Sequence, residues 1–360
     1  MSFLLFAAGL AALVVGASLL VRGASSLAAS FGVSPLVVGL TVVAFGTSAP
    51  EIAVSVGAVS QGQVDLAVGN VIGSNIFNIL VILGLSALIV PLSVDRQLIR
   101  QEVPFMVGIS VLLLLLSLDG MIGKTDSLLL LGLLVAYTAL LVVQSRRLHA
   151  RESAQAAAAA PGDGTPPRQD GLPMQIVLIL AGLAGLVFGS EWLVQAAISF
   201  ARALGVSELV IGLTIVAAGT SLPEVAASVA AALKGERDMA VGNVVGSNIF
   251  NILGCLGISG LVAEHGLTVP ASALGFDIWV MMAATLACVP VFMSAREISR
   301  WEGAFFLMYY GAYSAYLVLA AQHPALLPAY TQAFTTVMLP LTVLSFSALT
   351  WWQQKHLRRR

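Results

Sequence analysis

Two glutamates stand where a lipid-spanning segment would ordinarily place none. Glu51 and Glu224 close the hexapeptides Gly46-Thr47-Ser48-Ala49-Pro50-Glu51 and Gly219-Thr220-Ser221-Leu222-Pro223-Glu224, inside otherwise apolar stretches. A carboxylate at the centre of a bilayer costs about 3 kcal/mol or more, so acids kept there mark function and need a named partner. Each proline lacks an amide proton, and its ring clashes with the carbonyl four residues back, that of Gly46 or Gly219. Carbonyls near Ala44 to Thr47 and near Ala217 to Thr220 are therefore expected to leave the helix ladder. In hydrocarbon a freed carbonyl must find another partner, and a bound cation is one of the few that fits. The plainer alternative is a kinked helix whose Thr and Ser hydroxyls fold back on the backbone around a protonated acid. Two copies, each with its acid directly after the helix breaker, weigh against it.

A second motif follows each acid. Gly69-Asn70-Val71-Ile72-Gly73-Ser74-Asn75-Ile76-Phe77-Asn78 is matched by Gly242-Asn243-Val244-Val245-Gly246-Ser247-Asn248-Ile249-Phe250-Asn251. Glycines at spacing four let helix backbones approach closely. Packing leaves Ser74 with Asn78, and Ser247 with Asn251, unexplained. These pairs fall at i and i+4 on one helical face and present hydroxyl and amide oxygens. Asn70, Asn75, Asn243 and Asn248 fall on other faces and are read as hydrogen-bonding between helices.

Both motifs belong to one duplication, in which residues 36–89 and 209–262 are nearly the same sequence written twice. The chain is 58% hydrophobic and 10% charged, far from the roughly one quarter charged of a soluble domain. An integral, all-α membrane protein follows. Its net charge of −1 identifies no partner, and nothing in it suggests nucleic acid. Cys255 and Cys288 lie in apolar segments and read as packing residues.

Apolar helices are expected near 3–21, 33–60, 65–90, 102–118 and 126–145, then near 174–191, 206–233, 239–262, 273–293 and 301–321, with an extra one near 331–352. The organisation is a first five-helix half (1–145), a polar cytoplasmic linker (146–172), a second half (173–321), and an extra helix with a basic tail (322–360). The N-terminal segment reads as a retained helix, since its arginine lies on the far side of the apolar run. With the N-terminus outside and the C-terminus cytoplasmic, all of the 17 lysines and arginines except Lys124 and Arg202 fall inside, as the positive-inside rule requires. Five helices per half then insert the second half upside down, giving two inverted-topology repeats. Such repeats belong to secondary transporters, with the ion site near the midplane where the halves meet.

The assembled centre offers hard oxygens alone. Calcium takes six to eight oxygens with flexible geometry, magnesium sheds water reluctantly, and transition metals favour His or Cys. No histidine lies in either repeat, and Cys255 has no counterpart in the first. Sodium accepts the same oxygens, so one calcium ion or two sodium ions neutralise the two glutamates, and the ions compete. An uncompensated pair of carboxylates is too costly to carry through an occluded state, so loaded carriers switch and empty ones stall. Motion is expected from the less polar helices, 3–21 and 174–191, whose Gly9, Gly16, Gly182, Gly185 and Gly189 suit a sliding contact and ordinary packing alike. An intramembrane hydrolase would need an asymmetric acid/base or nucleophile arrangement, and a passive channel would need weaker binding.

The paired GTSxPE and GNVxGSNIFN motifs resemble the two repeats of the cation/calcium exchanger superfamily, and most of all prokaryotic sodium/calcium exchangers. The resemblance covers roughly residues 1–320, so the helix near 331–352 lies beyond it. It implies a calcium/sodium antiporter of the cell membrane with no enzymatic activity and no cofactor, handling only its transported ions amid membrane lipid. It implies that Glu51 and Glu224 hold calcium with the backbone carbonyls of Thr47 and Thr220. Ala44, Ser48, Ser74, Ala217, Ser221 and Ser247 would line flanking sodium sites. Asn251 stands where many sodium/calcium members carry an aspartate, which leaves two site carboxylates and keeps proton or potassium coupling open beside sodium.

Overall fold

The computed structural model describes residues 2–159, 171–204, 217–293, 296–334 and 336, with backbone only for 148–159 and 217. Among these residues the chain is helical apart from turns and four two-residue strands. The first half comprises α1 (Ser2–Phe31), α2 (Pro35–Ser60), α3 (Val64–Ile89), α4 (Leu98–Leu116) and α5 (Lys124–Ala159). The second comprises α6 (Leu172–Ala203), α7 (Leu222–Leu233), α8 (Arg237–Val262), α9 (Ala273–Met293) and α10 (Arg300–Gln322). Nine of these are long and apolar enough to cross a membrane, and α7 is the shorter tenth.

Local chemistry sets several boundaries. The Ser34 hydroxyl accepts the Val37 amide at 3.3 Å, with Pro35 opening α2, which pairs a capping side chain with a residue that has no orphan amide to satisfy. The Ser299 and Glu302 side chains form a reciprocal capping box at the start of α10.

The helices depart from expectation at three ends. Helices α1 and α6 run 30 and 32 residues, well past 21 and 191, because the small and polar residues that follow still favour helix while lowering hydropathy. Such lengths exceed the roughly 30 Å of hydrocarbon, so both helices must tilt or emerge. The expected linker over 146–172 begins as a continuation of α5 to Ala159, since its alanine run has the highest helix propensity of any residue type. A short α11 (Leu327–Ala333) follows α10, and the helix expected near 331–352 lies almost wholly outside the described residues.

Four short strands reveal how the halves join. Strand β1 (Leu92–Ser93) follows α3, β2 (Met121–Ile122) precedes α5, β3 (Leu267–Thr268) follows α8, and β4 (Glu297–Ile298) precedes α10. β1 pairs antiparallel with β4, and β2 with β3. Each strand thus bonds to the non-equivalent strand of the other half, the reciprocal exchange a two-fold axis produces. The loops after α3 and before α10 lie together, as do those before α5 and after α8. Equivalent loops therefore sit at opposite ends of the bundle, which is the geometry of inverted repeats.

Glycine governs the contact between α1 and α6. A Cβ on Gly16 would stand 2.8 Å from the Gly182 carbonyl, one on Gly182 2.5 Å from the Leu20 amide nitrogen, and one on Gly189 2.8 Å from the Leu13 nitrogen. Backbone meets backbone here, the small-residue contact of membrane helices. The same holds between α8 and α2, where a Cβ on Gly246 would stand 2.7 Å from the Leu40 carbonyl oxygen and from the Ala44 Cβ. Gly182→Val should therefore lower the melting temperature of the detergent-purified protein by several degrees, equivalent to about 1–3 kcal/mol of overpacking. Gly132→Ala, with open space around it, should leave the temperature unchanged.

Candidate cation-binding site

Helix α2 changes course three times before it reaches its acid. A π-helical turn spans Gly39–Val43, a short α segment spans Ala44–Thr47, and Ser48 then leaves helical geometry at φ −82°, ψ 3° before Ala49–Ser60 resumes. Ser221 takes nearly the same conformation, φ −90°, ψ 5°, before α7. Both glutamates consequently lie in the first turn of a helix that restarts inside the membrane. The unpaired amides of such a turn carry partial positive charge and favour an anionic side chain.

The two breaks meet. The Ser48 hydroxyl donates to Glu224 Oε1 at 3.2 Å, and the Ser221 hydroxyl donates to Glu51 Oε1 at 3.0 Å. Each acid is thus held by the serine of the opposite half, and both carboxyls are 1% exposed. Asn70 on α3 donates to the Glu51 carbonyl and to the Ser55 hydroxyl, at 3.3 and 3.0 Å. Asn243 on α8 repeats this with the Glu224 carbonyl and Ser228, at 3.5 and 2.8 Å. The Thr47 hydroxyl reaches Asn243 Oδ1 at 3.3 Å.

Oxygens left over after this bonding identify what the site can hold. Glu51 Oε2, Glu224 Oε2, Asn78 Oδ1, Asn251 Oδ1, the Thr220 hydroxyl and the Ser247 hydroxyl are buried and have no hydrogen-bond partner in the protein. Buried polar atoms are otherwise nearly always satisfied. Six unpartnered hard oxygens from both repeats suit a cation that prefers oxygen. Among the described residues no group of three or more His, Cys, Asp or Glu offers a softer or more acidic alternative.

The candidate ligands are not all brought together in the same way. Glu51, Glu224, Ser48 and Ser221 bond directly across the two halves, Thr47 joins through Asn243, and Asn78 and Asn251 bond to Asn248 and Asn75 in a separate set of hydrogen bonds. Ser74 is 4% and Ser247 0% exposed, with no bond tying either to the carboxylates. The Ala217 side chain lies outside the described residues.

Two expected freed carbonyls have protein partners. The Ala44 carbonyl still accepts the Ser48 amide at 3.0 Å and the Thr47 hydroxyl at 3.4 Å, because the break comes one residue later. The Gly219 carbonyl, released by Pro223, accepts the Ser190 hydroxyl of α6 at 2.6 Å. Sequence reasoning missed Ser190, and its counterpart Ala17 has no hydroxyl to offer Gly46. It also missed that Asn70 and Asn243 clamp the glutamate backbones, although each stands 19 residues after its acid. Cys255, a buried free thiol as expected, donates to the Glu51 carbonyl at 3.5 Å.

The family model for "sodium/calcium exchanger protein" matches residues 1–143 and 174–319. The "putative antiporter CaxA" of Alkalimonas amylolytica is 41% identical over 316 residues, covering 87% of this chain and 97% of that protein. The "inner membrane protein YrbG" of Escherichia coli K12 is 38% identical over 279 residues, covering 78% and 85%. A solved structure of the sodium-calcium exchanger NCX_Mj, soaked with zero Na+ and Ca2+, superposes with a TM-score of 0.74 at 34% identity, covering 88% of this chain and 98% of that one.

Calorimetric titration of the purified protein with calcium should show Glu51→Gln and Glu224→Gln each weakening binding about 100-fold or more, the scale of breaking a buried charged pair. Ser48→Ala and Ser221→Ala should each cost about ten-fold, the loss of one hydrogen bond to a charged group. Unaltered affinity in both glutamine variants would remove the carboxylates from the site.

Proposed function

The chain belongs to the sodium/calcium exchanger protein family and is a multi-pass cation/calcium antiporter, and on that premise we propose that it moves Ca2+ across the inner membrane in exchange for Na+. The observation that carries this reading is the reciprocal serine-to-glutamate bonding, which leaves one oxygen of each carboxyl unpartnered. Two negative charges in a dry centre are balanced by one Ca2+ or by two Na+, so occupancy by one ion excludes the other.

The ligand set proposed for Ca2+ is Glu51 and Glu224 with the Thr47 and Thr220 carbonyls and the Asn78 and Asn251 amide oxygens. Flanking sodium positions draw on Ala44, Ser48, Ser74, Ala217, Ser221 and Ser247. Neutralisation is the condition for passage. With the ion in place the central charges are compensated and the α1–α6 pair shifts across α2, α3, α7 and α8, exposing the site to the other side. Without it the buried charge holds the carrier on one side. The glycine-lined contact of α1 with α6 lets that pair travel as one body. The N-terminus is placed outside, with the 146–172 linker and the C-terminus in the cytoplasm.

Reconstitution into proteoliposomes separates the coupling ions. Calcium uptake should follow an imposed outward sodium gradient and remain near background under a pH or potassium gradient alone. Uptake driven by a pH gradient in the absence of sodium would assign proton coupling, with the glutamates titrating. Asn251→Asp, which adds a third carboxyl, should change the sodium dependence or the apparent calcium affinity, and an unchanged profile would mean that this side chain does not face the ions. Cysteines introduced at Lys124 and Arg202 in a cysteine-free background should react with an impermeant maleimide from outside intact cells; reaction only after permeabilisation would reverse the orientation.

A further inference from the structure

Four asparagines, two from each repeat, interlock at the crossing of α3 and α8. Asn251 Nδ2 donates to Asn75 Oδ1 at 3.1 Å, and Asn78 Nδ2 donates to Asn248 Oδ1 at 3.5 Å. All four are 1% exposed. From this lattice we infer that Asn75 and Asn248 are positioning residues, each holding the amide of the opposite half's Asn251 or Asn78 so that its carbonyl oxygen faces the cation.

The orientation follows from planar amide chemistry. The oxygen and nitrogen of a carboxamide sit at opposite corners of one plane, so fixing the nitrogen toward one neighbour turns the oxygen away from it. In Asn78 and Asn251 the nitrogen is spent on the other half, and the Oδ1 atom is buried without a hydrogen-bond partner.

The holders are themselves held. Asn75 Nδ2 faces the Asn248 backbone carbonyl at 3.4 Å and Met281 Sδ at 3.7 Å, and Asn248 Nδ2 faces Met106 Sδ at 3.7 Å. A carbonyl and a thioether can only accept, so they select the NH2 side of each holder and leave its oxygen for the partner amide. Met106 on α4 and Met281 on α9 are fully buried. Helices outside the duplicated segments 36–89 and 209–262 thus reach the site through one intermediary each. Bonds that served packing alone would not have to run from ligand to holder to outer helix in both halves alike.

The inference rests on the proposed antiport at this site and deepens it, and a double-mutant cycle on calcium transport tests it. Asn75→Ala and Asn248→Ala should each raise KM for calcium about ten-fold with little change in kcat, the scale of one lost hydrogen bond. Asn251→Ala should add almost nothing to Asn75→Ala, and Asn78→Ala almost nothing to Asn248→Ala, because the ligand is already misplaced. The crossed pairs, Asn75→Ala with Asn78→Ala and Asn248→Ala with Asn251→Ala, should multiply. Asn75→Ser and Asn248→Ser, which are also too short to reach the partner amide, repeat the cycle should an alanine variant not reach the membrane. A unit KM ratio in the single variants, or cognate pairs that multiply like the crossed ones, would overturn the positioning role. A parent protein that carries no calcium under any gradient would instead sink the transport reading beneath it.

Discussion

Two carboxyl groups are buried in the middle of a membrane bundle, and each takes its hydrogen bond from the serine of the opposite half. An uncompensated charge in that setting costs several kcal/mol. The surroundings answer with the positive ends of two helices that restart inside the membrane, two hydroxyls and two asparagine-clamped backbones. One oxygen on each acid is still left unsatisfied. That residual demand suits a cation, and under the proposed exchange the state of the whole carrier depends on whether the centre is neutral.

Much of the architecture serves to bring those two acids together. Helix breakers at Pro50 and Pro223 are needed to restart a helix at membrane depth, and an odd number of helices per half is needed to make the two restarts face each other. The exchanged strand pairs β1 with β4 and β2 with β3 tie the halves at both ends of the bundle. Glycines hold α8 against α2 at backbone distance, while a separate glycine seam joins α1 to α6. The site is thus embedded in a tightly packed four-helix centre, and its most glycine-dependent long contact lies outside that centre.

The duplication made a large part of this legible. Residues Glu51 and Glu224, the break at each GTSxPE motif and the five-plus-five layout followed from repeated polar chemistry in apolar segments, where lipid leaves few alternatives. Boundaries were read less well where hydropathy and helix propensity part company, as past residues 21 and 191 and in the alanine run to Ala159. Contacts between helices distant in sequence were not legible, since neither the spacing of Asn75 and Asn251, across the halves, nor that of Ser190 and Gly219, within the second, carries a local signal. The four asparagines set aside as interhelical do bond between helices, and each of them bonds a residue of the proposed ligand set. The Gly219 carbonyl expected to await a cation is instead taken by a serine that no periodicity marks.

Anomalous diffraction from crystals of the protein soaked in calcium addresses the shared centre most directly. A single anomalous peak should stand within calcium bonding distance, about 2.3–2.6 Å, of both Glu51 Oε2 and Glu224 Oε2. Two separate peaks with one carboxyl each, or a peak that touches neither, would contradict the convergence of the two halves on one ion.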